Sequence, residues 1–560
     1  MKGVRTALLW GFIVVVLFAW LGTRGLNEPD EGRYAEIGRE MAVSGDWLMP
    51  RLNGFEHLQK PPLLYWVTAL SFRSFGFDEW AARLACVLPA LGTIYLTWFL
   101  AGALFAQRIR PLAVLVLLSS SEFLLLSRTL TPDMMLTFWI TLSIACLVKY
   151  VRGGRRSWRL AFFAALGLGF LSKGPMALVV PISAALCWQR ALRRRGEGVS
   201  LGWGSGLPIS LLLGGWWFVA VAIQHPSLVS YFLGYELIDR VFSTTHGRAQ
   251  PFWFFAPVLL GGLLPWSPVL IGVLVSAWRR LRARTQLPAD LWLLAGWLVP
   301  PFLVLSLSGS KLATYVLPLF PALALLVAHW CDVHADSRAG RWGIGASVAI
   351  ALLVGVALPV TLVVLRLFVP LYENVSFSAG FCVLLVLLIA LFAMLLASVR
   401  RGESTTRAAL GLAAGAAVLW VGVLTQADRV LVEEGAPVRP LADIIKTTPG
   451  ADGAQVFAFF VRGNGLEFYL QRLVSRTENQ SDIVLPLDES QKQRVIDSIE
   501  SYVSALGDRP AIGIVNPREL GPGGPLATWH VLGTSGRHVL IANDALVQPG
   551  SARPVTATPD

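Results

Sequence analysis

The sequence predicts a polytopic membrane protein built mainly of helices, followed by a small α/β domain. Of its 560 residues, 55% are hydrophobic and only 15% are charged, and the mean hydropathy is +0.60. A soluble domain has roughly 25% charged residues. The 21 tryptophans fit a chain whose indole rings lie at membrane interfaces. A change of character after residue 425 marks the second part.

About 13 apolar segments account for the first part of the chain. A helix needs roughly 20 residues to cross the bilayer, so the fifth segment is short and is expected to extend into its flanks or to be partly re-entrant. We assign residues 1–424 to a transmembrane domain whose first loop covers 27–81. The segments are 7–26, 82–105, 112–127, 132–151, 160–172, 175–188, 207–223, 252–278, 291–307, 312–330, 342–368, 381–397 and 408–424.

Basic residues predict the orientation of these helices. With the N-terminus inside, the inner connections carry the arginine clusters, for example those within 152–159, 190–195 and 279–284. This is the bias expected of loops on the cytoplasmic side. The net charge of +12 therefore does not indicate a nucleic-acid partner. The outer loops between the second and thirteenth segments hold only Arg128, Lys173, Arg240, Arg248 and Lys311.

The N-terminus has two interpretations, an uncleaved first helix or a cleavable signal peptide. We prefer the first, because no Ala-x-Ala site precedes Asn27 and the apolar run is long. The five cysteines lie in or at the ends of apolar segments and show no metal-binding spacing. We expect neither a disulfide framework nor a cysteine-based metal site.

Residues 425–560, the C-terminal domain, follow the thirteenth crossing and are expected outside. Strand-like runs occur at 455–461, 511–515 and 538–542, and a polar helix-like stretch covers 491–505. Together they predict a small α/β domain. The last ten residues, about 551–560, are expected to be disordered.

The first loop is expected to contain two juxtamembrane helices. Residues 30–44 have helical periodicity with Tyr34, Ile37 and Met41 on one face, which fits an amphipathic helix at the interface. A second helix is expected to begin at the two prolines that follow Lys60. A lysine beside free backbone amides favours an anion such as phosphate. Contact with lipid headgroups is the alternative role for Lys60.

Polar residues in the outer loops form the candidate site. Each has an ordinary structural explanation when taken alone. Asp133 follows Thr131 and Pro132 as a first-turn acid, and Lys173 and Lys311 could simply extend toward water. Together they place cations and carboxylates on one face of an apolar bundle, which suits an amphiphilic phosphate. Lysine and arginine stabilise a departing phosphate, and a carboxylate can act as a general base.

Several short motifs occur in an order that resembles one family. They include Glu28-Pro-Asp-Glu-Gly-Arg-Tyr-Ala-Glu-Ile, Lys60-Pro, Thr131-Pro-Asp, Ser172-Lys-Gly and Lys311-Leu-Ala-Thr-Tyr. The chain resembles the bacterial polyprenyl-phosphate-dependent glycosyltransferases of the GT-C fold, which are related to protein mannosyltransferases. Within them it is most similar to the lipid A 4-amino-4-deoxy-L-arabinose transferases. The resemblance covers the membrane part and is weak in the C-terminal domain.

The resemblance implies an inverting glycosyltransferase of the bacterial inner membrane, with its active site and C-terminal domain in the periplasm. The donor would be a sugar on undecaprenyl phosphate, with 4-amino-4-deoxy-L-arabinose as the candidate sugar. The acceptor would be lipid A or another periplasmic molecule, and the other partner is membrane lipid. By motif, the implied catalytic residues are Asp30, Arg33 and Asp133. The implied substrate-binding residues are Lys60, Lys173, Arg240, Tyr315, Lys311, Glu31 and Tyr34.

Two departures from the family pattern leave the cofactor and the sugar open. This chain has Gln59 where relatives commonly have glutamate, and no histidine within 235–240 where arabinosamine transferases often have them. No metal ligand is therefore assigned, and a divalent cation stays open. One alternative is a related GT-C transferase acting on protein or another glycan. A lipid or sugar transporter is less favoured, because transporters place ionisable residues mid-span in internal repeats.

Overall fold

The computed structural model describes residues 2–232, 234, 250–368, 377–426, 438–461, 463–477 and 484–547. The chain divides into two compact units. The first contains Met1–Leu21, Lys60–Leu64 and Arg83–Gln426. The second contains Gly22–Gln59, Tyr65–Ala82 and Ala427–Asp560. The first loop thus falls largely into the same unit as the C-terminal domain.

The first unit is a bundle of helices. It also contains the 3-10 helices Gln107–Ile109 and Ala313–Leu319. Its α-helices are α1 (Lys2–Phe18), α4 (Glu79–Leu104), α5 (Arg110–Ser119), α6 (Ser121–Ser127), α7 (Pro132–Gly153), α8 (Arg156–Lys173), α9 (Met176–Arg193), α10 (Trp203–Gln224), α11 (Leu228–Ser230), α12 (Phe255–Gly262), α13 (Ser267–Arg282), α14 (Ala289–Leu307), α15 (Phe320–Val333), α16 (Arg338–Phe368), α17 (Ala379–Arg400) and α18 (Thr405–Thr425).

Eight helices among the described residues are long and apolar enough to cross a membrane, and two bent pairs raise the number to ten. The prediction of a polytopic, mainly helical protein is confirmed. The number of thirteen membrane spans stays a prediction, because helices α1, α8 and α9 are shorter or more polar than these long apolar helices. The fifth predicted segment, 160–172, is extended by its flanks into α8, Arg156–Lys173.

Two predicted spans are bent. The segment 112–127 turns by 71° between α5 and α6, and the segment 252–278 turns by 120° between α12 and α13. At the first bend, the hydroxyls of Ser119 and Ser120 donate to carbonyls one turn earlier, a contact that often bends helices. At the second, Pro265 has no N–H to donate.

Small residues allow close helix packing in this bundle. A Cβ on Gly167 of α8 would lie 2.7 Å from the Ser210 carbonyl oxygen of α10. A Cβ on Gly214 would lie 2.8 Å from the Gly167 carbonyl oxygen. Glycines at such positions let helix backbones approach each other inside a membrane. The guanidinium of Arg128 donates to the Val16 and Leu17 carbonyls and so satisfies the end of α1.

The second unit combines the first loop with an α/β sheet. The five strands of the sheet lie in the order β4-β3-β5-β7-β6. Strands β4, β3 and β5 run parallel to one another, β7 runs antiparallel to β5, and β6 runs antiparallel to β7. Phe457, Ile496, Val515, Leu526 and Ile541 form part of its core. Its elements are α2 (Asp30–Ser44), β1 (Arg51–Leu52), β2 (Phe55–Glu56), α3 (Leu63–Phe75), α19 (Val438–Thr447), β3 (Gln455–Ala458), α20 (Leu466–Leu470), β4 (Ser475–Arg476), α21 (Glu489–Lys492), α22 (Ile499–Leu506), the 3-10 helix Pro517–Leu520, β5 (Ala511–Val515), β6 (His530–Ser535) and β7 (His538–Ala542).

The predicted elements of this unit are found with some differences in their limits. Helix α2 and strands β5 and β7 have the predicted ends, and Gly45, with φ +72°, closes α2. Helix α3 begins at Leu63, after the two prolines, and β3 ends at Ala458. The stretch 491–505 overlaps two short helices instead of forming one. Residues 551–560 lie outside the described residues.

Side chains of the first loop bind the backbone of the C-terminal domain. The Asn53 amide accepts from the Val474 N–H at 2.9 Å and donates to the Val474 carbonyl at 2.8 Å. Gln491 Nε2 donates to the Gly54 carbonyl at 2.9 Å. These bonds join the β1–β2 hairpin to the domain.

Cysteine labelling would test the predicted orientation. In a cysteine-free background, we expect Ser157→Cys to react with a membrane-impermeant thiol reagent only from the inside and Ser227→Cys only from the outside. Both serines are exposed and lie in connections that the arginine distribution assigns to opposite sides. Labelling of both positions from the same side would contradict the predicted topology.

Candidate active site

Three predicted site residues meet at helix ends in the first unit. Asp133 is the second residue of α7, after Thr131 and Pro132. Lys173 is the last residue of α8, before Gly174 with φ +92°. Its ammonium forms an ion pair with the Asp133 carboxylate and lies 4.9 Å from the centre of the Tyr315 ring. Residues far apart in the sequence thus form one cluster.

This cluster is almost closed to solvent. The side chains of Asp133 and Lys173 are 5% and 13% exposed. A buried ammonium is stabilised by the negative face of an aromatic ring as well as by a carboxylate. An ammonium carries three N–H donors, and Asp133 is its one carboxylate partner among the described residues. The arrangement can therefore bind an anionic oxygen with donors that are already oriented.

The other predicted cations have different surroundings. Lys311 Nζ donates to the Gln250 and Ser308 carbonyls at 2.9 and 2.6 Å, so it ties two loop segments together. Lys60 lies in the first unit and precedes helix α3 by two prolines. Arg240 lies outside the described residues. The substrate-binding roles of all three stay predictions.

The second unit contains the remaining predicted residues at the start of α2. Asp30 is the first residue of the helix and forms an ion pair with Arg33. The Asp30 side chain is 54% exposed, whereas Arg33 is largely buried. The Arg33 guanidinium lies 5.6 Å from the centre of the Tyr34 ring. Asp30 is therefore a carboxylate that remains accessible at a helix start.

Glu31 and Tyr34 are more enclosed than the sequence suggested. Glu31 is fully buried, pairs with Arg24 at 2.9 Å, and accepts the Asn27 N–H at 2.9 Å. Tyr34 is also buried, with its ring centre 6.1 Å from that of Tyr65. These contacts support the first turn of α2. Substrate binding by Glu31 and Tyr34 stays a prediction.

Burial changes the acid–base properties of other carboxyls in this unit. Burial raises the pKa of Glu36 well above its ordinary range, against the lowering effect of the Arg39 guanidinium. Burial also raises the pKa of Glu28 to about 8, although the backbone N–H groups of Asn464 and Gly465 lower it. Both acids lie on or beside the helix that carries Asp30.

Sequence reasoning missed Glu122, which lies in the first turn of α6. A Cβ on Gly262 would lie 2.3 Å from Glu122 Oε2, so the glycine leaves room for this carboxyl. Among the described residues, no group donates a hydrogen bond to the buried Oε1 atom. The available signal was an acid within the apolar segment 112–127, since ionisable residues in such segments usually have a function.

The described residues do not fit a divalent cation. Among them, no group of three or more His, Cys, Asp or Glu side chains is placed to hold a metal ion. Gln59 supplies an amide where the family pattern has a carboxylate. The run 235–240 lies outside the described part of the chain. No reaction step is therefore assigned to a metal.

Known proteins resemble this chain in sequence and in fold. A family model described as "Dolichyl-phosphate-mannose-protein mannosyltransferase" matches residues 8–230. The crystal structure of ArnT from Cupriavidus metallidurans, bound to undecaprenyl phosphate, superimposes with a TM-score of 0.81 at 26% identity. That alignment covers 98% of this chain and 100% of the other. The chain therefore has the GT-C fold of this ArnT structure.

Relatives in sequence have similar names. An undecaprenyl phosphate-α-4-amino-4-deoxy-L-arabinose arabinosyl transferase from Edwardsiella ictaluri is 36% identical over 331 residues, 57% of this chain and 58% of the relative. One from Proteus mirabilis is 32% identical over 364 residues, 64% of each chain. The chain thus spans less than two thirds of the length of these relatives. The predicted GT-C fold class is confirmed, and the chain is a multi-pass membrane protein.

The buried pair of Asp133 and Lys173 predicts an asymmetric stability effect. We expect Asp133→Asn to lower the free energy of unfolding by ~3–5 kcal/mol, because it leaves a buried ammonium without its carboxylate. The double variant Asp133→Leu/Lys173→Met should lose less. Thermal unfolding of the purified protein would measure both.

The exposed pair of Arg401 and Glu403 supplies the control. We expect Glu403→Gln to change stability by less than ~1 kcal/mol, as is usual for surface pairs. If Asp133→Asn were no more destabilising than Glu403→Gln, the ion pair would not hold the helix ends together.

Proposed function

We propose that the chain is an inverting glycosyltransferase that moves a sugar from an undecaprenyl-phosphate carrier to an acceptor. The observation that carries this proposal is the buried Lys173 ammonium, held between Asp133 and Tyr315 at the ends of apolar helices. An amphiphilic phosphate needs an apolar bundle for its chain and an oriented cation for its head. The ArnT structure described above was determined with undecaprenyl phosphate bound.

The proposed reaction is a displacement at the anomeric carbon. An acceptor oxygen attacks from the face opposite the carrier and forms a new C–O bond. The bond from the anomeric carbon to the carrier oxygen breaks, and its electron pair stays on the departing phosphate. Positive charge develops on the sugar ring, as in glycoside cleavage. Lys173 stabilises the growing phosphate charge, and the configuration inverts.

Each predicted site residue has a proposed part in this reaction. Asp30 takes the proton from an acceptor hydroxyl, or orients an acceptor phosphate that is already ionised. Arg33 orients the Asp30 carboxylate through their ion pair, and Asp133 fixes the Lys173 ammonium. Further contacts with the carrier phosphate or the substrate come from Lys60, Arg240, Tyr315, Lys311, Glu31 and Tyr34.

The names of the relatives support 4-amino-4-deoxy-L-arabinose as the sugar, and lipid A is the proposed acceptor. The proposed location is the bacterial inner membrane, with the active site and the C-terminal domain on the periplasmic side. The match to the protein mannosyltransferase family favours a second candidate, transfer to protein or to another glycan. Mass spectrometry of lipid A, surface glycans and exported proteins from a deletion strain would separate the two.

Removal of the Asp30 charge should abolish most of the activity. We expect Asp30→Asn to lower turnover by at least ~10²-fold, the lower range for a positioned acid–base group. The substitution preserves size, and the exposed position predicts little loss of stability. The measurement is sugar transfer by the reconstituted protein. Turnover close to that of the wild type would rule out this role for Asp30.

Loss of a carrier-binding cation should weaken carrier affinity. A charge-assisted hydrogen bond contributes ~1.5–3 kcal/mol, so Lys60→Ala and Lys173→Met should each raise the Kd for undecaprenyl phosphate ~10-fold or more. The control is Lys492→Ala, an exposed residue of the C-terminal domain. Binding and thermal unfolding are measured together. Unchanged Kd values in both folded variants would place the phosphate site elsewhere.

A further inference from the structure

The C-terminal domain holds the chain that leads into helix α2. Glu28 Oε1 accepts the Gly465 N–H at 2.8 Å, and Oε2 accepts the Asn464 N–H at 2.9 Å. Close by, the Leu26 N–H donates to Tyr469 Oη at 2.9 Å. The segment entering α2 is therefore bound at two points to one short stretch of the C-terminal domain.

Two glycines make this contact sterically possible. A Cβ on Gly465 would lie 2.4 Å from Glu28 Oε1, and one on Gly32 would lie 2.5 Å from the same atom. The Gly32 Cβ would also lie 2.6 Å from the Gly465 nitrogen. These distances are too short for real carbon atoms. The first turn of α2 therefore meets the loop at backbone distance because both positions are glycine.

The loop that receives Glu28 is itself fixed from within the C-terminal domain. Arg476 of β4 donates to Asn464 Oδ1 at 2.8 Å and to Glu467 Oε1 at 2.9 Å. Both members of the Arg476–Glu467 pair are buried. Phe460, in the same loop, has φ +51°, a conformation that bulky residues rarely adopt. Such strain persists where the surroundings determine the backbone firmly.

The position of this loop in the sheet explains why a hydrogen-bond acceptor such as a carboxyl group fits it. The loop follows β3, at the carboxyl end of the parallel strands β4, β3 and β5. In open α/β sheets this end commonly binds ligands, often anions held by backbone N–H groups. Here the group that accepts the backbone N–H donors is a side chain of the same polypeptide, the carboxyl group of Glu28.

We propose that Glu28 is a positioning residue through which the C-terminal domain orients the helix that carries Asp30 and Arg33. The domain thus takes part in transfer without contacting the substrate. This inference rests on the proposed function. The connection from Glu28 to the first turn of α2 is short. Glu28 precedes Asp30 by two residues, and the Arg33 N–H donates to the Pro29 carbonyl at 3.3 Å. A displacement of Glu28 is therefore passed directly to the first turn.

Two substitutions test the link from its two sides. Glu28→Gln replaces one acceptor oxygen by a donor that faces a backbone N–H, and Gly465→Ala fills the space of the carboxylate. Misplacement of a catalytic group by about 1 Å can cost ~10²-fold in rate, so we expect each variant to lose ~10-fold or more in kcat. The donor KM and the Kd for undecaprenyl phosphate should stay within ~2-fold, because the proposed carrier residue Lys173 is unchanged.

Matched controls come from the same domain. Glu500→Gln alters an exposed glutamate of α22. Gly453→Ala adds a Cβ that meets nothing closer than 3.9 Å. Both should keep the wild-type kcat. If Glu28→Gln or Gly465→Ala behaved like its control, or raised KM with kcat unchanged, the positioning role would be overturned.

Two readouts besides activity report the contact itself. Hydrogen exchange at the amides of Asn464 and Gly465 should be faster in Glu28→Gln than in Glu500→Gln.

The second readout is the dependence of stability on pH. The wild type should lose stability as pH rises from about 4.5 to about 8, because the folded protein holds a proton on Glu28 that the unfolded chain releases. Glu28→Gln should lack that part of the pH dependence; Glu467 and Arg476, which face Glu28, are present in both proteins. Identical exchange and pH dependence in both proteins would refute the contact.

Asp30→Asn in the same assay separates this inference from the proposed function. Full activity of Asp30→Asn would refute the catalytic assignment, whatever Glu28→Gln does. An inactive Asp30→Asn beside a fully active Glu28→Gln would refute only the positioning role. If Glu28→Gln failed to insert, Tyr469→Phe would decide by the same criteria. It removes the hydroxyl that accepts the Leu26 N–H and donates to Glu79 Oε1 at 3.2 Å, and we expect a fall in kcat of ~3-fold or more.

Discussion

The ion pair between Asp133 and Lys173 is the interaction on which the first unit's polar centre depends. Two charges next to hydrocarbon are tolerated only when they satisfy each other, because an isolated buried charge is very costly. The pair joins the start of α7 to the end of α8, and Tyr315 adds an aromatic face from a third segment. The same requirement that makes the bundle stable thus places an oriented ammonium at its polar end.

In the second unit, the acidic side chains of the first loop differ in their burial and in the groups that bind them. Glu31 and Glu36 are fully buried and paired with Arg24 and Arg39. Glu28 is held by backbone amides of the C-terminal domain. Asp30, by contrast, has an exposed side chain, and its ion-pair partner among the described residues is Arg33 on its own helix. A carboxylate that acts on a substrate must be reachable, and this contrast favours Asp30 over its neighbours for that role.

Sequence reasoning succeeded where the determining interactions are local. The limits of α2 follow from its amphipathic repeat and from Gly45, and β5 and β7 follow from short β-branched runs. It failed at the bend after Ser119, because the mean hydropathy of the 16 residues in segment 112–127 does not register three consecutive serines. The site was predicted only in part for a related reason. Glu28 and Gly465 lie 437 positions apart, so no local pattern links them.

The predicted cations differ in how many N–H donors they have left for a ligand. This difference favours Lys173 over Lys311 as the residue that binds the phosphate. Lys311 gives two of its three donors to backbone carbonyls, which fixes a loop but leaves little for a ligand. Lys173 is paired with a carboxylate and an aromatic face, and neither uses all its donors. A phosphate oxygen could therefore join the Lys173 ammonium without displacing its partners, whereas at Lys311 it would compete with the backbone. Helix α8, which ends at Lys173, and helix α7, which begins next to Asp133, also supply an apolar surface for a lipid chain. The head and the tail of one amphiphile can therefore be bound at the same end of these two helices.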